Sequence, residues 1–191
     1  LMALGQSNTL EIFDLDGTCN EIDVAGALEG KGSAEVRVYL EAAARFVAAK
    51  IPSLNEAEVF DGIKAAMKVI FPDRAKFENW ASFPTADKNT TRVCPAVDHF
   101  LLTPLAVKAY LSTCPEAKPF LESDWKNDLY QFCSSASLPH AEIDDDAKGA
   151  LDDRLSRDAL MVILTNSKPS KALQMLKKAG YSEDRLVGGG A

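Results

Sequence analysis

Two short β-prone stretches, residues 9–13 (Thr-Leu-Glu-Ile-Phe) and 160–164 (Leu-Met-Val-Ile-Leu), stand near opposite ends of this sequence. Between residues 20 and 157 the apolar side chains recur at helical spacing, with no run of period-two alternation. The second stretch is unbroken in its apolar character, as parallel strands buried on both faces are. A third run begins at Leu186-Val187, just before the sequence stops at Ala191. This order predicts an α/β fold: a Rossmann-like parallel-sheet core, incomplete at its C-terminal end, built from residues 1–20 and 158–191. Residues 21–157 are then expected to form an all-helical cap inserted into that core.

The helical stretches have recognisable faces. Val36, Leu40, Ala43, Ala44, Val47 and Ile51 form one stripe, and Val59, Ile63, Met67 and Ile70 a second that follows a capping box of Ser53 with Glu56. Leu121, Trp125, Leu129 and Phe132 mark a third helix, and Ile143, Ala147, Leu151 and Leu155 a fourth. Residues 84–95 and 134–139 are turn-rich and are expected to be loops. After the second strand, Ser167 can cap, Pro169 suits a first helical position, and Gly180 closes the helix.

Both strand runs end in polar residues that carry chemistry. The first passes into Asp14-Leu15-Asp16-Gly17-Thr18 and the second into Thr165-Asn166-Ser167. Residues two apart on an extended chain project to one side, so Asp14 and Asp16 can face one small volume, and Gly17 lets the backbone turn there. One carboxylate can then attack phosphorus while the other protonates the departing oxygen and later deprotonates water. Two like charges so close require a cation, and their hard oxygen ligands point to Mg²⁺. Thr165 can donate its hydroxyl to a phosphoryl oxygen, and the amides of Asn166 and Ser167 at a helix start add donors; a plain turn with a helix cap is the alternative for that segment.

The string Asp14-Leu15-Asp16-Gly17-Thr18 after an apolar strand, followed far downstream by Thr165 after a second one, resembles the first two signature motifs of the haloacid dehalogenase superfamily. The resemblance implies that Asp14 is the nucleophile and Asp16 its acid/base partner. It implies that Asp14 and the backbone of Asp16 contact Mg²⁺, that Gly17, Thr165 and Asn166 bind phosphate, and that the cap selects the substrate. An acid at position 16 marks phosphatases and phosphotransferases rather than true dehalogenases. The expected activity is Mg²⁺-dependent hydrolysis of a small phosphorylated metabolite through an aspartyl phosphate. The alternatives are an inactive or truncated phosphate-binding module and a phosphotransferase or mutase. The superfamily's third motif, a lysine, and its fourth, a set of acids, normally follow the third strand, where this sequence stops. Lys168 and Lys171 could replace that lysine, although both read as solvated residues of a first helical turn, while Glu183 and Asp184 precede the third strand rather than follow it.

Composition narrows the partners. With 21 basic against 28 acidic residues, a formal charge of −7, the chain repels polyanions, which argues against nucleic acid and anionic membrane surfaces. Cys19, Cys94, Cys114 and Cys133 form no Cys-x-x-Cys pair and lie near neither His99 nor His140 at zinc spacing. With no signal-like segment, a reduced, cytoplasmic setting is expected. Other features have plain readings. Gly30-Lys31-Gly32-Ser33 lacks full phosphate-loop spacing and reads as a turn, and Asp144-Asp145-Asp146 suits a helix start. Trp80, Phe83, Trp125, Tyr130 and Phe132 read as core, and the two histidines as surface or loop residues.

Overall fold

The computed structural model describes residues 10–15, 24–70, 99–157, 160–165 and 169–181. Strand β1 (Leu10–Asp14) is followed by helices α1 (Val24–Leu28), α2 (Ala34–Lys50), α3 (Glu56–Ile70), α4 (His99–Leu111), α5 (Lys118–Leu121), α6 (Trp125–Ser137) and α7 (Asp145–Ser156). Strand β2 (Leu160–Leu164) and helix α8 (Pro169–Lys178) complete the described elements. Contacts divide the chain into two compact units, one of residues 1–22 with 140–191 and the other of residues 23–139. Among the described residues no helix is long and apolar enough to cross a membrane.

The Rossmann-like α/β core expected from the two strand runs is not what forms. Helix dominates the described residues, and their sheet has two strands, β1 and β2, paired in parallel. A doubly wound sheet is covered on both faces, whereas here the described helices cover one. Phe13, Met161 and Ile163 pack against a cluster of Leu15, just after β1, Ala141 and Ile143, just before α7, Leu151 of α7, and Ala172, Met175 and Leu176 of α8. Ile12, which alternation places on the opposite face from Phe13, is 59% exposed. The expected third strand at Leu186-Val187 lies outside the described residues. Helix α7, which falls within 21–157, belongs to the same unit as the strands.

Within that unit the helix ends are tied by short-range chemistry. Asp144 caps α7 by accepting from the Ala147 amide at 2.7 Å, which accounts for the acidic run there. Arg154 of α7 reaches Glu11 of β1 at 3.3 Å. Gly180, at φ +94°, ends α8 with two hydrogen bonds, Gly180 N–H to the Lys177 carbonyl and Tyr181 N–H to that of Leu176, each 3.0 Å. The positive φ is one that glycine adopts without a Cβ penalty.

In the helical unit α2 packs against both α3 and α6, and α3 against α4. Ala42, Ala43 and Ala44 are all buried, as a helix flanked on several sides requires. Gly30, at φ +78°, closes α1, and Ser33 caps α2 by accepting from the Val36 amide at 3.4 Å. The Gly30-Lys31-Gly32-Ser33 segment is therefore a helix stop followed by a helix start. Three local expectations shift. Asn55, not Ser53, caps α3, accepting from the Glu58 amide at 2.9 Å. The helix expected from Leu121 is broken, since α5 ends there and α6 begins at Trp125, and its buried stripe is Trp125, Leu129, Cys133 and Ser137 while Phe132 is exposed. Residues 134–137, expected as loop, complete α6, because small serines and alanine are tolerated in a helix whose other face is packed.

Candidate functional site

Strand β1 carries Asp14 at its carboxyl end because a β-prone run meets an acid that cannot continue into the interior. Register does the rest. Leu10 lies beside Leu160, Ile12 beside Val162 and Asp14 beside Leu164, so both strands finish at one level. Paired strands stand ~4.8 Å apart, which puts Asp14 across from the last residue of β2 and Thr165 one residue beyond. Two sequence-selected residues from opposite ends of the chain thus share the carboxyl edge of one small sheet.

Their settings differ. Asp14 is exposed, on the face of the sheet that carries Ile12. Its Oδ1 accepts from the amide of Leu15 at 2.9 Å, and Leu15 itself is fully buried in the apolar cluster. An exposed carboxylate is therefore anchored by the buried neighbour that follows it, with one oxygen engaged by the backbone. Thr165 is half-buried as the chain leaves β2. Asp16, Gly17, Asn166 and Ser167, together with Lys168, Glu183 and Asp184, lie outside the described residues.

Lys171, in the first turn of α8, is 6% exposed, which corrects its reading as a solvated side chain. A signal for this was available, since Lys171 precedes Met175 by one helical turn and so shares its core-facing side. His99, expected at the surface or in a loop, is 1% exposed at the start of α4, its ring 4.9 Å from that of Tyr39 and 4.0 Å from that of Phe100. It belongs to the helical unit and not to the strand edge. Trp80 and Phe83 lie outside the described residues, while Trp125 is buried and stacks on Phe120 at 5.2 Å, a core role.

Mg²⁺ is bound in proteins through one or two carboxylates, with water and substrate phosphate completing six positions. Asp14 fits that pattern as a single hard oxygen donor on an open edge. Among the described residues no three acidic, histidine or cysteine side chains gather into a ready-made metal cage, an arrangement that such an ion does not need. No protein-family model, curated protein or solved structure matches the chain.

Proposed function

We propose that this chain is a phosphoryl-transfer enzyme of the haloacid dehalogenase type, hydrolysing a small phosphate monoester with Asp14 as nucleophile. The observation that supports this most is the register of Asp14 with Leu164, which brings the carboxylate to the edge where the Thr165 hydroxyl follows. The exposure of Asp14 leaves room for a substrate to approach, and its contact with the Leu15 amide limits the orientations of the carboxylate.

In this reading an Asp14 oxygen bonds to phosphorus in line with the ester oxygen. The phosphorus–ester bond breaks with its electrons going to the alcohol, which takes a proton from Asp16. Water then bonds to phosphorus as Asp16 takes back a proton, and the bond to Asp14 breaks, restoring the carboxylate and releasing orthophosphate. Thr165 donates to a phosphoryl oxygen throughout, holding the group for both displacements. Bound Mg²⁺ supplies charge screening between carboxylate and phosphate; Asp14 would hold it, with Asp16 as the second donor that the sequence offers. The free thiols of Cys114 and Cys133 fit a reducing, cytoplasmic setting for this chemistry.

The test is hydrolysis of 4-nitrophenyl phosphate with and without Mg²⁺. Wild type is expected to turn over only with the ion, and Asp14→Asn to lose at least ~10³-fold of that rate. Retained activity in the variant overturns the assignment of Asp14. Orthophosphate binding by wild type without turnover identifies a phosphate-binding module instead.

A further inference from the structure

Helix α7 is fastened on both flanks of its core-facing stripe. Ala147 and Leu151 face the apolar cluster. At about 100° per residue, Lys148 and Asp152 fall on one side of that line and Arg154 on the other. On the first side the Tyr181 hydroxyl donates to Asp152 Oδ1 at 2.8 Å. Lys148 Nζ donates to Asp152 Oδ2 at 2.6 Å and stands 5.8 Å from the centre of the Tyr181 ring. On the second side Arg154 Nε lies 3.3 Å from the Glu11 carboxylate. Just before α7 there is another tie to the end of α8, where Lys178 donates to Glu142 at 2.9 Å and to the Ala141 carbonyl at 3.4 Å.

The elements joined in this way are the ones that carry the candidate site. Glu11 and Asp14 share the five-residue strand β1, and α8 is the helix that follows Thr165. Ala172, Met175 and Leu176 hold α8 against the cluster, but apolar attraction has no direction of its own. Hydrogen bonds have a set length and angle, so Tyr181 and Lys178 fix the placement along the helix axis that apolar contact leaves loose. A helix of ten residues is a rod ~15 Å long, and a shift at its C-terminal end is carried to its start. We infer that α7 braces the two halves of the site and that Tyr181 is a positioning residue, whose bond to Asp152 sets α8, and through it Thr165, relative to Asp14. It acts through α8 and not on the substrate. This rests on the phosphoryl-transfer reading above, in which acid and hydroxyl hold one phosphoryl group between them.

The experiment compares wild type with Tyr181→Phe, Asp152→Ala, Asp152→Asn and the double variant Tyr181→Phe/Asp152→Ala. It follows 4-nitrophenyl phosphate hydrolysis with Mg²⁺, amide hydrogen exchange in α8, and the thermal midpoint. Tyr181→Phe keeps the ring on the cluster and removes the hydroxyl alone. Its kcat is expected to fall ~10-fold with KM changed less than ~2-fold, and amides of α8 to exchange several-fold faster. Asp152→Ala should match it, and the double variant should be no worse than either, since all three remove one bond. Asp152→Asn keeps an oxygen that can accept from Tyr181 and should recover most of the rate. If Asp152→Ala does not fold, Tyr181→Phe and Asp152→Asn carry the comparison. A lowered midpoint with unchanged kcat identifies a purely structural contact and overturns the positioning role, as do additive losses in the double variant; both leave Asp14 standing as nucleophile. Absence of hydrolysis in wild type overturns the phosphoryl-transfer reading. Faster exchange of α8 in Tyr181→Phe then still supports the brace, and unchanged exchange overturns it too.

Discussion

Cys133 on α6 has no exposed surface, and burial pushes its thiol up to about 12, with Arg45 drawing it partly back. A thiolate is the reactive form, and at neutral pH this side chain is a small hydrophobe. Iodoacetamide is therefore expected to leave Cys133 unmodified at pH 7 in the folded protein and to label it once denaturant is added, which peptide mass spectrometry can follow site by site. Labelling in the native state would show that α6 opens readily. Asp152 shows the opposite influence, because hydrogen bonds from Lys148 and then from Tyr181 hold its carboxyl below the usual range. The tie between α7 and the end of α8 is thus complete above the ordinary aspartate range and is lost as pH falls through the lowered value. Single positions such as these were only partly legible in advance. Asp144 reads as a cap from its place before an acidic run. Asn55 and Ser53 both suit an N-cap, and only the entry of the chain into α3 chooses between them.

Helix packing turns on where a Cβ has room. A Cβ at Gly62 of α3 would run into the ring of Tyr110 on α4, so the two helices approach more closely there than an alanine permits. Gly149 of α7 has nothing within 4 Å of the same added atom. Removing a helical glycine gains ~1 kcal/mol in propensity, while overpacking costs ~1–3 kcal/mol. Gly149→Ala is accordingly expected to raise stability by ~0.5–1 kcal/mol, and Gly62→Ala to lower it by up to ~2 kcal/mol, both read from urea midpoints. Equal effects would mean that the α3–α4 contact yields without cost. Neither glycine stands out in sequence, because what distinguishes them is a ring from a helix some fifty positions away.

At the scale of the molecule, residues 23–139 have an interior of their own, with α2 buried between its neighbours. Expressed alone, this segment is expected to keep a helical far-ultraviolet spectrum and a cooperative thermal transition; a featureless melt would show that it relies on the strand-bearing unit. The helices of both units, and the acid and hydroxyl that close the two strands, could be read from periodicity and turn chemistry, which act over a few residues at a time. Sheet size, the pairing of Asp14 with Leu164 and the burial of His99 could not. Those depend on contacts between residues far apart along the chain, which local propensity does not encode. A parallel pair covered on one side reads in sequence much as the start of a larger sheet does, and packing alone tells them apart.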